Sequence, residues 1–229
     1  MTVQTLTLPL RPIDPREVLR YAGVSPRAEI PPETREPFEA AMRQMKGTDS
    51  GRACFLTLPC TPDTEKGTVA LGPILWHSRQ LSRVLQNCDT AAIFCATAGM
   101  EVDRMIRRHQ AISPTRALFL HAAGAERVEA LCDAFEQYLL EKDPSRHLTM
   151  RFSPGYGDLK LEAQRDIFRL LNPEKHLGVS LTDTLLMVPS KSVTAVIGLY
   201  RTGPACVPSA PCDTCAQRDC LFRKEPAST

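Results

Sequence analysis

The chain has 229 residues, of which 43% are hydrophobic and 24% are charged, and its formal net charge is +2. These values are ordinary for a globular protein, and a charge so close to zero gives no reason to expect nucleic acid as a partner. No stretch approaches the roughly 20 consecutive apolar residues of a membrane span, and the first residues lack the basic and apolar regions of a signal peptide. We therefore expect a cytoplasmic protein with one large domain or two small ones.

Short strands and helices alternate in the first half of the chain. Pro15 suits the first position of a helix, where its missing N–H costs nothing. The continuous apolar run at 90–97 is typical of a buried strand. On such patterns, strands are predicted at 5–8, 52–58, 67–71 and 90–97, and helices at 16–21, 33–45, 77–86 and 100–110.

The longest helical pattern begins at Ser113, a good N-cap followed by proline, and continues to about residue 140. One face is an apolar stripe that includes Val128 and Phe135. Another face carries an acidic row at the same spacing, namely Glu126, Glu129, Asp133 and Glu136. This row is either a solvated face or a surface on which one carboxylate faces a ligand.

The stretch RFSPGYGD at 151–158 follows an extended run and precedes a helical pattern at 159–171. Gly155 and Gly157 can adopt positive φ and let a ligand approach the backbone closely. Asp158 is predicted to cap the following helix. Arg151 and the free amides of that helix start suit a carboxylate or a phosphate. The alternative is an ordinary strand-to-helix connection with a surface arginine.

Two further strands, at 182–188 and 193–200, are predicted to form a β-hairpin. Interspersed strands and helices with hairpin-like pairs favour an α+β fold with a mainly antiparallel sheet over a doubly wound parallel one. Neither a GxGxxG nor a Walker A motif occurs, which argues against the commonest nucleotide-binding folds.

The nine cysteines fall into two groups. Five lie in apolar or mixed segments and are predicted to be small buried hydrophobes: Cys54, Cys60, Cys88, Cys95 and Cys132. The other four lie close together near the end of the chain: Cys206, Cys212, Cys215 and Cys220. Four such thiolates suit zinc or an iron–sulfur cluster, and a reduced tail without metal is the alternative. We expect an α+β domain at 1–203 and a Cys-rich tail at 204–229.

Three motifs follow one another after residue 150. They are Arg151-x-x-Pro154-Gly155-Tyr156, then Glu174-Lys175-His176-x-Gly178 with Leu181-Thr182-Asp183, then Met187-x-Pro189-x-x-Ser192-Val193. In this order they resemble the activation (reactivation) domain of vitamin B12-dependent methionine synthase. The segments ATAGMEVDRMI (96–106) and AERVEALCDAFEQYL (125–139) are similar to its short, free-standing form. The resemblance covers about residues 70–200.

This resemblance implies a twisted, mainly antiparallel sheet flanked by helices. It also implies a reactivation function in the methyltransferase system of methionine biosynthesis, with S-adenosylmethionine bound along the sheet. The domain would dock on the cobalamin-binding domain, where an electron donor such as flavodoxin or ferredoxin reduces cob(II)alamin and S-adenosylmethionine supplies the methyl group. No Asp-x-His-x-x-Gly motif occurs, so cobalamin is expected on a partner protein.

The resemblance also assigns the ligand-binding residues, which are Asp133, Arg151, Ser153, Pro154, Gly155 and Tyr156. Arg151 would pair with the methionyl carboxylate, and the backbone of Ser153 and Gly155 would contact the ligand. No catalytic residue is expected, because cobalamin carries the chemistry and the protein supplies positioning.

The chain departs from the family after the last strand. Arg201 is followed by the cysteine-containing tail, where full-length members have a His-Pro and Tyr-rich segment that covers the ligand. Two alternatives therefore stay open. One is a metal- or Fe–S-carrying redox adaptor that docks on a corrinoid protein without binding S-adenosylmethionine. The other is a metal-tailed interaction protein unrelated to cobalamin.

Overall fold

The computed structural model describes residues 2–25 and 30–201. The helices of this part are α1 (Pro15–Tyr21), α2 (Pro32–Gln44), α3 (Arg79–Val84), α4 (Met100–Gln110), α5 (Pro114–Lys142), α6 (Ala163–Leu171) and α7 (Pro173–Leu177). The strands are β1 (Gln4–Pro9), β2 (Ser50–Asp63), β3 (Thr68–Leu71), β4 (Ile74–His77), β5 (Thr90–Thr97), β6 (His147–Leu148), β7 (Ser180–Leu181), β8 (Met187–Val188) and β9 (Ser192–Tyr200). Strand β4 was not predicted, whereas helix α4 has the predicted bounds.

Seven strands form one antiparallel sheet in the order β4-β3-β2-β5-β9-β6, and β1 also pairs with β2. Strand β5 lies between β2 and β9, and nearly all of its side chains are buried. This is the environment that a continuous apolar run requires, because both faces of a central strand are covered. The predicted antiparallel α+β fold is confirmed.

Helices cover both faces of the sheet. On one face α5 packs through Phe135, whose ring centroid lies 4.6 Å from that of Phe94 in β5. On the other face α6 contributes Ile167 and Leu171 to a second apolar cluster with α3. The sheet is therefore the middle of three layers, with its two faces buried in separate cores.

The N-terminal helices extend the α5 side of the molecule. Val18 of α1 and Phe38 of α2 pack against α4 and α5, and the ring of Phe38 meets that of Phe119 at 5.2 Å. Strand β1 leads into this region by pairing with the first half of β2. Helix α5 is thereby held between the sheet and the N-terminal helices.

The predicted hairpin of 182–188 with 193–200 is wrong. Strand β8 pairs with β7, whereas β9 pairs along its length with β5. The turn between β8 and β9 is held by α4 instead, because Asp103 accepts hydrogen bonds from the backbone N–H and the hydroxyl of Ser190, each at 2.7 Å. The Lys191 carbonyl then accepts from Ala98 N–H at 2.9 Å, which sets β9 beside β5.

The five internal cysteines are buried, as predicted. Burial raises the pKa of Cys54 to about 11 and that of Cys60 to about 12, so both thiols stay protonated at neutral pH. The four predicted metal ligands, Cys206, Cys212, Cys215 and Cys220, lie outside the described residues.

Within 2–25 and 30–201, no group of three or more His, Cys, Asp or Glu side chains is arranged to hold a metal ion. None of the helices described there is both long enough and apolar enough to cross a bilayer.

Candidate ligand-binding site

The 151–158 turn begins where the chain leaves the sheet. Phe152 exchanges two backbone hydrogen bonds of 2.9 Å with Val196 of β9. The next residues turn away, and Tyr156 N–H donates to the Ser153 carbonyl at 3.0 Å. Gly155 and Gly157 have φ of +83° and +56°, the conformation that their lack of a side chain permits. Among the described residues, no strand pairs with this edge of β9 between 192 and 195.

Asp158 does not cap the helix that follows it, contrary to the prediction. Helix α6 begins only at Ala163. The Asp158 carboxylate instead accepts from the Ser78 hydroxyl and from Arg79 N–H at 2.8 Å, at the start of α3. Burial raises the pKa of Asp158, but the hydrogen bonds from Ser78 and the α3 amides outweigh this effect and lower it. Asp158 therefore fastens the turn to α3.

Arg151 lies against the acidic row of α5. Its guanidinium is 3.0 Å from Glu129 Oε2, 3.0 Å from Asp133 Oδ1 and 3.1 Å from Glu136 Oε1. We call these four residues the Arg151 cluster. Asp133, the one member of the row that the resemblance assigned to the ligand, is thus beside Arg151. Glu129 and Glu136 were not assigned to the site, although their spacing already placed them on the same face of α5 as Asp133.

The Arg151 cluster holds three carboxylates for one guanidinium. Burial raises the pKa of Glu136, and Asp133 and Glu129 raise it further, while Arg151 lowers it. Burial lowers the pKa of Arg151, but Cys132, Glu136 and Glu129 outweigh this and raise it. The Arg151 side chain is 24% exposed, so the cluster is accessible from solvent. It is a surface with excess negative charge around one cation.

The interpretation of the acidic row as a solvated face fails for Glu126, whereas Glu129, Asp133 and Glu136 are partly exposed to solvent. Glu126 is buried and paired with Arg11 and Arg127, and the other three carboxylates meet Arg151. The row therefore serves two separate ion-pair clusters on successive turns of α5.

The remaining predicted site residues lie along the turn. Ser153 and Pro154 line an open groove on the side of the sheet that α6 covers. Tyr156 is 58% exposed. Its ring meets that of Phe152 in an edge-to-face arrangement, with the centroids 5.6 Å apart. The turn thus separates the Arg151 cluster on the α5 side from the groove on the α6 side.

The groove has a volume of about 520 Å³ and was not predicted. Its apolar walls come from the segment that precedes α6 and from the segment around β8, including Leu161, Leu185 and Met187. Half of the lining residues are polar, but three of these, Asp103, Gln164 and Thr194, are buried, so the exposed lining is mostly apolar. A concave apolar surface with a few fixed polar groups is typical of a small-molecule site.

These features define an α+β domain with an open groove and an accessible ion-pair cluster at the edge of an antiparallel sheet. The chain belongs to the family described as vitamin B12 dependent methionine synthase, activation domain, whose model matches residues 82–206, more than half of the chain. Among solved structures, the MetH reactivation domain bound to AdoHcy is similar in fold. The TM-score is 0.61 at 16% identity, over 89% of this chain and 80% of that chain. No curated protein sequence matches the chain.

Proposed function

We propose that this chain binds S-adenosylmethionine at the Arg151 turn and docks on a cobalamin-binding methionine synthase to restore methylcobalamin from cob(II)alamin. The observation that carries the proposal is the Arg151 cluster, in which one guanidinium and three carboxylates of α5 stand beside a glycine-containing turn. The family and the AdoHcy bound to the similar reactivation domain support it.

The charges of the cluster match those of the ligand. S-adenosylmethionine carries one carboxylate, one ammonium and one sulfonium. Arg151 suits the carboxylate through paired N–H donors, and the carboxylates of α5 suit the two cations. The exposed ring of Tyr156 offers an aromatic face on which a cation can rest. A ligand that binds here replaces some of the ion pairs between Arg151 and the α5 carboxylates with ion pairs to the ligand.

The reaction needs positioning and no acid–base group from this chain. An electron donor such as flavodoxin or ferredoxin reduces cob(II)alamin by one electron to cob(I)alamin. The cobalt then attacks the methyl carbon, the carbon–sulfur bond breaks, and its electron pair stays on sulfur. The products are methylcobalamin and S-adenosylhomocysteine. This chain contributes by holding the sulfonium in line with the cobalt.

Docking brings the partner's corrin to the open side of the site. Tyr156, Leu161 and Leu186 are exposed large hydrophobic residues around the turn and the groove. Such a patch beside a ligand site is typical of a protein interaction surface. We place the contact with the cobalamin-binding protein there.

A second function is favoured by one observation. Arg151 is already paired with three carboxylates, so it can be explained as a structural ion pair without any ligand. The chain would then be a docking or redox adaptor of a corrinoid protein. Its predicted zinc or Fe–S ligands, Cys206, Cys212, Cys215 and Cys220, are in the tail, outside the described residues.

Anaerobic calorimetric titration with S-adenosylmethionine separates the two functions. We expect saturable binding to the wild-type chain. In Arg151→Ala it should be weaker by at least about tenfold, since hydrogen bonds to charged groups contribute roughly 1.5–3 kcal/mol. Arg104→Ala is the matched control, because Arg104 is an exposed arginine whose partner, Glu101, is on the same helix. It should bind like wild type.

Two results would contradict the proposal. One is the absence of binding even when the cobalamin-binding partner is present, which would leave the adaptor function. The other is equal affinity in Arg151→Ala and Arg104→Ala, which would move the ligand away from the turn. Transfer of a labelled methyl group to the partner's cobalamin under reducing conditions then tests the reaction itself.

A further inference from the structure

The turn between β8 and β9 carries a buried lysine that the proposed function does not use. Lys191 is only 6% exposed, although lysine is seldom buried unless it is paired. Its carbonyl accepts from Ala98 N–H at 2.9 Å and from the Thr97 hydroxyl at 3.4 Å, so its backbone is fixed at the end of β5. Lys191 is not among the residues that line the groove. Its side chain lies against α5 instead.

The stem of Lys191 lies over a glycine in the interior of α5. A Cβ atom at Gly124 would stand 3.0 Å from Lys191 Cε and 3.1 Å from Lys191 Cδ, and 2.8 Å from Cγ1 of Val102 in α4. Glycine is a poor helix former, so its presence inside a 29-residue helix has a free-energy cost that packing must offset. The missing side chain provides the space between α4 and α5 in which the Lys191 stem is buried.

The amino group at the end of this stem has no acidic partner in the described part of the chain. Lys191 Nζ lies 3.2 Å from Nδ1 and 3.3 Å from Nε2 of His121, and the Asp103 carboxylate is hydrogen-bonded to Ser190 instead. A neutral imidazole accepts at one nitrogen only. A charged ammonium would therefore leave two of its three N–H groups without an acceptor from the residues described. This environment favours the neutral amine.

The charges that face the amino group come from α4 and α5. Burial lowers the pKa of Lys191, and Asp103 of α4 opposes the shift. Burial and the Lys191 charge lower the pKa of His121 on α5, again against Asp103. Both groups therefore lose their protons at lower pH than ordinary side chains of their kinds do. A neutral amine beside a neutral imidazole pairs a nucleophile with a base.

We propose that Lys191 is an acylation site, at which its amine attacks a small acyl phosphate and His121 removes the proton. His121 is exposed, so a small reagent reaches the amine past its ring. The bond from Nζ to the acyl carbon forms, the carbon–oxygen bond of the mixed anhydride breaks, and its electron pair leaves on phosphate. The proton released from nitrogen passes to the imidazole and from there to solvent. The products are an N-acyl lysine and inorganic phosphate.

Competitive labelling of the full chain with acetyl phosphate tests this site. The folded protein reacts for set times at several values from about pH 6 to 9, which span the range where the two groups titrate. It is then denatured and fully acetylated with deuterated acetic anhydride. Mass spectrometry of the peptides gives, for each lysine, the fraction that was acetylated in the folded state. Lys160 and Lys175, which are exposed in the same chain, are the internal controls.

We expect Lys191 to react at least about tenfold faster than the two control lysines at neutral pH. Its rate should also level off at lower pH, because its pKa is lowered. His121→Phe keeps a ring and removes the base, so the Lys191 rate should fall at least about tenfold while the control rates stay unchanged. His109→Phe is the matched control, because His109 contacts Gln44 of α2 rather than a lysine. It should react like wild type.

Two results would overturn the acylation site. One is a wild-type Lys191 rate no higher than the control rates at any pH, which would mean that burial shields the amine more than it activates it. The other is an unchanged Lys191 rate in His121→Phe, with thermal unfolding as the check that the variant is folded. The first result needs no variant, so it holds even if a substitution disturbs the fold. Neither depends on S-adenosylmethionine, so the proposed function is tested separately.

Discussion

Helix α5 carries two ion-pair clusters on successive turns, and they differ in burial and in charge balance. The first, which we call the Glu126 cluster, consists of Arg11, Glu126 and Arg127. Glu126 and Arg127 have side chains only 1% exposed, and Arg127 Nη1 donates to the Arg11 carbonyl at 2.8 Å. The second is the Arg151 cluster, whose four side chains are each at least 24% exposed.

The difference separates a cluster that is closed to any ligand from one that a ligand could reach. In the Glu126 cluster a single carboxylate is shared by two arginines and is closed to solvent, so a ligand has no access to it. It ties the segment after β1 to α5. In the Arg151 cluster, three carboxylates share one guanidinium that is in contact with water. A cationic ligand could therefore pair with one carboxylate without leaving a buried charge unpaired. The same helix therefore stabilises the fold at one turn and offers exchangeable partners at the next.

Removing the central carboxylate of the Glu126 cluster should have the largest effect on stability. Glu126→Gln leaves Arg127 buried without a counter-charge, and breaking a buried pair typically costs about 3–5 kcal/mol. Urea denaturation should show this loss as a lower midpoint with an unchanged slope. Glu101→Gln, which breaks an exposed pair with Arg104, should change the free energy of unfolding by less than about 1 kcal/mol. Similar losses in the two variants would contradict the comparison.

Replacing Asp133 should change ligand affinity more than stability. Asp133→Asn removes one of three carboxylates around an accessible guanidinium, so the free energy of unfolding should change by less than about 1 kcal/mol. Affinity for S-adenosylmethionine should fall about tenfold, equivalent to about 1.4 kcal/mol, because a partner for a ligand cation is lost. Parallel calorimetry and urea denaturation measure the two quantities. A large loss of stability with unchanged affinity would make the Arg151 cluster structural.

The two clusters also show how far the sequence alone could lead. The periodicity of α5 predicted both the helix and the acidic row, because spacing on a helix is a local property. The resemblance pointed to Arg151 and Asp133, and the structure places them 3.0 Å apart. The burial of Glu126 was not predictable, because Arg11 lies 115 residues earlier in the chain. Their roles in ligand binding stay predictions.

Two further predictions, for Asp158 and for the hairpin, were wrong because they also depend on residues far apart in the chain. Asp158 has the side chain of an N-cap, but it caps α3, whose Ser78 lies 80 residues earlier. The predicted hairpin failed because β9 pairs with β5, and Asp103 holds the turn that precedes it. Patterns within one element were thus more informative than expectations about which elements meet.

Glu136 provides the smallest and most specific test of the difference between the clusters. Burial raises its pKa above the ordinary value of 4.5, with Asp133 and Glu129 adding to the shift and Arg151 opposing it. The folded state therefore holds this proton to higher pH than the unfolded state does. Its contribution to stability is fully present below about pH 4.5. That contribution is lost as the pH rises through the folded pKa.

Glu136→Gln should remove this dependence. The variant should be more stable than wild type at neutral pH by less than about 1 kcal/mol, and the difference should shrink as the pH falls towards 4.5. Urea denaturation of both proteins from pH 4 to 8 measures the difference directly. A difference that instead grew as the pH fell would mean that Arg151 lowers the pKa of Glu136 more than burial raises it. The Arg151 cluster would then be an ordinary stabilising ion pair, with no excess negative charge available to a ligand.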